Sequence, residues 1–418
     1  MTLGNGTAGG LAQNEAGKIV IAGGTTTVNN VIDSTNALGG NNVASTLQIS
    51  GGTLNVNGAR GLRSNLLIDG GTFNIGTVGA GGRLSLESGR TFTMSSGALN
   101  LNSTTGFGVR FGGDSGPGSA GFAFAGTQSG GVFTVKGAGG QQTVFQLGNI
   151  TTAVTTTYDL SGGTLDIQGT GTNAYLTLGA AASDATSSAT FTLSGTGKLI
   201  VRSVTTAGSA GNAGVSGVNG FTANAAQVFA LSGGTLVAGR VDATNLRATA
   251  GGVAGMIINN GTNISAGDAG FSGRTAFVGA LSITSGTMSF DLGGITASSA
   301  WQDAASAGKY DNVAVTGVVT LGGNLSVSFI DGYLPTVGNS FTLLTGSSVS
   351  SSFVNAASTY IVTTGGNNYT FNLGYNPSNV TLTLATVTSA IPEPSAYAAL
   401  AGAGMLGFAT LRRRRQGV

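Results

Sequence analysis

The 418-residue sequence contains no cysteine and no histidine. Without cysteine there are no disulfides, no thiol catalysis and no thiolate metal sites. Without histidine, the Ser-His-Asp triad and imidazole general-base chemistry are excluded. Chemistry is left to carboxylates, Lys, Arg, Tyr and hydroxyls. Charge is scarce as well: Asp, Glu, Lys and Arg make up 8% of the residues, against about 25% in an ordinary globular domain. Four of the 17 basic residues are the run Arg412 to Arg415, and the other 13 stand against 15 acidic residues, a balance of −2. So neutral a body carries no electrostatic footprint for nucleic acid. The opening MTLGNGTAGG has neither a basic region nor an apolar core, so no secretory leader is visible in it.

What is abundant is glycine, with 75 residues, about two and a half times its usual share. Apolar residues still reach 40%, which separates the chain from disordered compositions. Many short strands joined at glycine turns fit this balance. One phrase recurs: an alternating apolar strand, a Gly-Gly or Ser-Gly step, then Thr and a second alternating strand. It reads LQISGGTLNVNG (Leu47 to Gly58), LLIDGGTFNIG (Leu66 to Gly76), YDLSGGTLDIQG (Tyr158 to Gly169), FTLSGTGKLIV (Phe191 to Val201) and FALSGGTLVAG (Phe229 to Gly239), with a late variant LSITSGTMSFDLGG (Leu281 to Gly294). Gly52, Gly71 and Gly89 are 19 and 18 residues apart, and Gly163, Gly197 and Gly234 are 34 and 37 apart.

The spacing predicts a solenoid with a coil of about 18 to 20 residues, doubled where a linking strand such as AYLTLG (Ala174 to Gly179) intervenes. Glycine would supply the positive φ needed at the corner between two strands. Alternation places Leu54, Ile68, Phe73, Leu165, Leu193 and Leu236 inside, and Asn55, Asn57 and Asp166 outside. No coil can bury its apolar face alone, so stability must come from neighbours. An antiparallel sandwich is the rival arrangement. The repeat phrase over Leu47 to Gly294 resembles the autotransporter-associated β-strand repeat of bacterial surface proteins. That resemblance implies a right-handed parallel β-helix. Gly112 to Gly121 and Thr205 to Gly220, rich in Gly, Ser and Ala, read as loops. Gly267 to Gly279 resembles the point where such passengers leave the repeat region, and Tyr310 to Val315, Leu321 to Gly323 and Phe341 to Leu344 resemble their closing segment. From Met288 to Ala385 crowded strand-like runs predict an antiparallel β cap, with a hairpin at Gly365 to Asn368.

The last thirty residues have three parts: Pro392-Glu393-Pro394, an uncharged run from Ser395 to Leu411, and the cluster Arg412, Arg413, Arg414, Arg415. Seventeen residues give roughly 25 Å of helix, at the short end of a bilayer core. The positive-inside bias would keep the arginines in the cytoplasm and the body outside it. A residue before proline is pushed out of the α region, so Ile391 and Glu393 should be extended. A plain tail anchor would not need two prolines around a glutamate. The tail, with Pro392, Glu393, Pro394 and Ser395 in order before the helix and the arginines, resembles the PEP-CTERM sorting signal of Gram-negative bacteria. The resemblance implies processing near the Pro-Glu-Pro by an exosortase, a membrane-bound cysteine transpeptidase. It also implies a leader upstream of Met1.

Candidate catalytic acids are spread out, at Asp69, Asp114, Asp159, Asp166, Asp184, Asp242 and Asp268. Asp159 and Asp166 flank one Gly-Gly step and read as solvated turn residues. Gly112-Gly113-Asp114 is too short for a calcium-binding nonapeptide. GAGMLG (Gly402 to Gly407) matches a dinucleotide-binding pattern but lies in an apolar helix with no βαβ unit around it, where its small residues would let helices approach closely. Trp301 reads as core filling. The expectation is therefore an all-β protein: a right-handed parallel β-helix over 1–287, an antiparallel β cap over 288–388, and a sorting signal with a single transmembrane helix over 389–418. Its expected role is that of an exported structural or adhesive protein of the cell surface or extracellular matrix. It would have no catalytic residues, metal or cofactor, and its partners would be an exosortase, the membrane and an exopolysaccharide. The alternative is a carbohydrate-active β-helix enzyme.

Overall fold

A computed structural model describes residues 2–3, 17–32, 46–59, 62, 64–76, 84–86, 89–103, 108–112, 123–137, 143–148, 155–169, 174–178, 188–203, 213–217, 227–242, 246, 255–258, 261–390, 401–406 and 412. Among them the strands form three sheets, of 16, 12 and 4 strands. The two larger sheets are built mainly from parallel pairs between successive turns of the chain. The protein is all-β, with the parallel, in-register stacking of a β-helix.

In four of the six copies the repeat phrase is one bent strand, while Leu47 to Gly58 and Leu281 to Gly294 are each two strands parted at the step, as expected. Asn65–Ile75 and Thr155–Gly169 run unbroken through their glycine pairs. At the bend a column of glycines stacks from coil to coil. Gly52, Gly71, Gly97, Gly131 and Gly163 all have positive φ, between 56° and 83°. A Cβ on Gly71 would stand 2.3 Å from the Gly51 carbonyl oxygen, and one on Gly163 would stand 2.3 Å from that of Gly131. Any side chain would therefore push adjacent coils apart at the corner.

Beyond the corner one interior column passes through ten successive strands: Leu54, Phe73, Leu99, Phe133, Leu165, Leu199, Leu236, Ile264, Met288 and Leu325 are register partners in turn. All are at most 2% exposed. Ile68 and Leu193 are buried too, as alternation predicts. The steps in this column range from 19 residues (Leu54 to Phe73) to 37 (Leu199 to Leu236), so the coil is not a fixed unit that doubles. The strands of the 12-stranded sheet, such as Ala174–Leu178, form the third side of the longer coils. In the 19-residue coil a single residue, Leu62, takes that place by bridging to Leu86. The corner that follows Gly71 is Gly97, since Thr72 pairs with Ala98. Gly89 lies in the turn before Thr91–Ser103.

Before the corner the core is aromatic. Phe92, Gly126, Tyr158, Phe191 and Phe229 are partners in sequence. Gly126 leaves room for its neighbours, because a Cβ there would lie 2.6 Å from the Tyr158 ring. Across that gap the Phe92 and Tyr158 rings stack at 6.0 Å, and Tyr158 stacks on Phe191 at 5.5 Å. The buried Tyr158 hydroxyl donates to Gln128 Oε1 (2.8 Å), and Gln128 Nε2 donates to the Thr164 carbonyl (2.9 Å). Burial raises the Tyr158 pKa well above its ordinary value and keeps the phenol neutral.

Several expectations change. Thr205 to Gly220 contains a strand, Ala213–Gly217, seated between Ala174–Leu178 and Arg240–Asp242. Pairing through the backbone makes no demand on side-chain size. Gly112 is described, but 113–121 lie outside the described residues, as does the side chain of Asn57. Asp166 follows the outer alternation yet is 7% exposed, and on the same column Ile200 and Val237 are buried too. The parallel pattern also continues past Gly267 to Gly279 and past Met288. Arg274–Val278 pairs with Asn312–Val315, and Thr287–Leu292 pairs with Asn324–Phe329, both in parallel. Among the described residues, apart from one antiparallel bridge between Leu292 and Tyr310, antiparallel pairing is confined to Ser340–Thr345, Thr359–Thr364, Asn367–Asn376 and Asn379–Ser389. The hairpin at Gly365-Gly366 is present, with φ of 56° and 73°. Trp301 is buried.

Two substitutions isolate the corner. Gly163 and Gly366 share nearly the same φ, 71° and 73°, but space is open around Gly366. Gly366→Ala should cost about 1–2 kcal/mol, for the left-handed backbone alone. Gly163→Ala should cost about 1–3 kcal/mol more, because it also overpacks the stack. Urea unfolding of both variants measures the difference, and equal losses would remove the stacking argument. Phe191→Ala should cost about 3–5 kcal/mol.

Candidate functional site

The tail leaves the body at a defined place. Asn379–Ser389 is paired antiparallel with Asn367–Asn376 up to Ser389 opposite Asn367. The Ala390 N–H then donates to the Gly366 carbonyl at 2.8 Å. Pro392 follows two residues later. Pro392, Glu393, Pro394, Ser395, Arg413, Arg414 and Arg415 lie outside the described residues. Arg412 is helical and exposed, and Ala401 to Leu406 are helical. Met405 and Leu406 are 73% and 69% exposed. Among the described residues no helix is long and apolar enough to cross a membrane.

Carboxylates are the other candidates. Asp114 and Asp184 lie outside the described residues. Asp159 is exposed. Asp69 accepts from Gln48 Nε2 (2.5 Å) and Asp166 from Gln168 Nε2 (2.7 Å). Asp242 pairs with Arg240 (3.0 Å) and Asp268 with Lys198 (2.7 Å). The acids that do converge are ones the sequence did not single out. Asp311, 1% exposed, accepts the Gly273 N–H on Oδ1 (2.5 Å) and the Asp291 N–H on Oδ2 (2.7 Å). Asp291 in turn accepts the Gly270 N–H (2.9 Å). Asp303 binds Lys309 Nζ (2.6 Å) and the Ser298 hydroxyl. Gly273 leads into a strand of the 12-stranded sheet and Asp291 lies in the 16-stranded one. One carboxylate thus fastens two sides of the stack. Among the described residues no three acids are grouped to hold a metal ion. Nothing in the local pattern YDNVAV marks Asp311, because its partners lie 38 and 20 residues away.

Burial raises the Asp311 pKa well above the ordinary carboxylate value, and the charges of Asp291 and Asp303 add to this, while the two N–H bonds oppose it. A raised native pKa means that the folded state holds the proton more tightly than the unfolded chain. The group's contribution therefore declines as pH rises from about 4, the unfolded value, through the raised one. Asp311→Asn cannot ionise and turns an amide N–H toward one of the two donors, at a cost of about 1–3 kcal/mol in acid. Urea unfolding at acidic and neutral pH should show the wild-type advantage over Asp311→Asn shrinking as pH rises. A difference independent of pH would contradict this account of Asp311.

Residues 390–415 match the PEP-CTERM protein-sorting motif. The match covers the tail and leaves the coiled body outside it. No match to this chain is found among curated proteins. The motif begins at Ala390, the residue whose N–H closes the cap. The chain carries a PEP-CTERM sorting signal directly behind its last strand and is an exported protein sorted by an exosortase.

Proposed function

We propose that this is a structural or adhesive protein of the cell surface or extracellular matrix, held in the membrane by a helix over 395–411 until an exosortase processes it near Pro392 to Ser395. The observation that carries this reading is the placement of the sorting motif immediately after a completed fold, so that the body is finished before the tail begins. The apolar tail residues Met405 and Leu406 are exposed, as a segment awaiting lipid would be. Arg412 to Arg415 then orient the helix. The coils wind right-handed in this reading, as crossovers between parallel strands do in about 98% of cases, and the repeats are of the autotransporter-associated kind. The half-buried ladder Asn55, Asn74 and Asn100, joined side chain to side chain at 2.9 Å, offers repeated amides along the outer face to an exopolysaccharide or a neighbouring rod in a biofilm matrix. A non-catalytic role is supported by Asp311 and Asp303, whose oxygens are turned onto backbone, hydroxyl and ammonium donors inside the fold. The competing enzyme reading needs open carboxylates in a groove.

Replacing Pro392, Glu393 and Pro394 together by alanine should leave membrane insertion intact and stop processing, so that the full-length chain accumulates in membranes. Blots of membrane and released fractions, with and without the host's exosortase, measure this. Processing equal to wild type would reduce the tail to an anchor. Neutral replacement of Arg412 to Arg415 should instead impair retention or orientation, because the apolar run is short and rich in Ala and Gly.

A further inference from the structure

From Gly332 to Pro392 the chain carries no Asp, Glu, Lys or Arg. This uncharged stretch forms the antiparallel end of the fold, and the tail departs from it. At that end Val387 is 40% exposed, in register with the buried Tyr369 and with Val362 beyond it. The loop Gly332 to Asn339 lies alongside: Gly338 N–H donates to the Leu384 carbonyl (2.9 Å), and Leu384 N–H donates to the Asn339 carbonyl (2.9 Å). Asn339 Oδ1 accepts from Thr336 N–H (2.8 Å) and from the Tyr333 hydroxyl (3.1 Å), which closes the loop. Leu334 and Val337, held in this closed loop, are 55% and 62% exposed. Branched apolar side chains on a fixed loop that itself carries no charge are cheap to desolvate, the nearest charge in sequence being the exposed Asp331 at its start.

We infer that this end of the cap, with Leu334, Val337 and Val387, docks on the surface of the lipid bilayer while the tail is inserted. The inference rests on the membrane-helix reading of 395–411. The length of chain between the last hydrogen bond and that helix selects the occupant. Four residues lie between Ala390 and Ser395, and the five steps they make span at most about 18 Å even fully extended. The Gly365-Gly366 turn, to which Ala390 is bonded, can stand further from the helix entrance than that only by the width of one hydrogen bond. A second function follows: the docked cap presents Pro392 to Ser395 at a fixed height at the membrane surface, where a membrane-bound processing enzyme works. The contact is apolar and owes nothing to anionic lipid, because no basic residue lies in the docking end.

Absence of native cysteine makes the test direct. Single variants Val337→Cys, Val387→Cys, Val132→Cys and Ala403→Cys of the full chain are labelled with an environment-sensitive fluorophore and reconstituted in phosphatidylcholine vesicles. Val132, 45% exposed on the coiled body, is the reference, and Ala403 reports on the tail. The labels at Val337→Cys and Val387→Cys should shift to the blue. Nitroxide lipids labelled near the headgroup should quench them several-fold more than the label at Val132→Cys, and added phosphatidylserine should not change this. If the labels at 337 and 387 match the one at 132 while that at 403 is in lipid, the docking surface is refuted and the membrane helix stands. If the label at 403 also stays in water, both readings fall. A blue shift without vesicles that grows with protein concentration would assign the surface to a second copy of the chain and overturn the proposal.

Discussion

Parallel coils can share backbone hydrogen bonds only if they approach to strand spacing everywhere along the turn, including the corners. At the corner between the first two sides, backbone meets backbone. The Gly71 and Gly163 positions leave 2.3 Å between a hypothetical Cβ and the carbonyl oxygen of the coil before, so no other residue fits there. The glycine content thus follows from the architecture and does not signal disorder. With the corners closed, inward side chains fall into columns, and each large apolar side chain buried in one contributes about 1.5–3 kcal/mol. No coil holds a core by itself, since from Phe73 to Met288 each member of the ladder is covered by one on either side.

Such a stack is unfinished at its ends, because the last coil offers free backbone groups and apolar columns. Here the chain reverses direction. Ser340–Thr345 pairs parallel with the coil before it and antiparallel with Asn379–Ser389. Phe341 and Phe371 continue the aromatic interior, with ring centroids 6.4 Å apart. The Asp311 carboxylate fastens two sides of the stack just ahead of this change. The sorting tail begins where the cap's last backbone bond is made.

How much of this can be read from the sequence depends on distance along the chain. Alternation within five residues fixed which face of LNVNG and LDIQG turns inward, and the Gly-Gly hairpin between Thr364 and Asn367 is a local signal that needs no tertiary knowledge. The three-part tail is local as well. What escaped reading is decided by remote partners. Gly89 and Gly97 look alike in sequence, and only pairing with the coil before makes Gly97 the corner. The segment AGVSG becomes a strand because a slot is open between two others. Asp166 has an outward position in its strand and is buried all the same. Asp311 answers to N–H groups of Gly273 and Asp291, which the sequence does not connect to it. The antiparallel cap expected from Met288 starts later, and Met288 itself still occupies the interior column, because a column is set by register and not by residue type.

The stacking register is the claim on which the rest stands, and disulfide trapping tests it most directly in a chain without cysteine. Asn74 and Asn100 are register partners on the outer face, about 4.8 Å apart between adjacent strands, within the Cα separation that a disulfide spans. The double variant Asn74→Cys/Asn100→Cys should cross-link rapidly on mild oxidation, while Asn74→Cys/Thr134→Cys, two coils apart, should not. Failure of the first pair to close, or equal closure of Asn74→Cys with the inward-facing Leu99→Cys, would contradict the parallel stack.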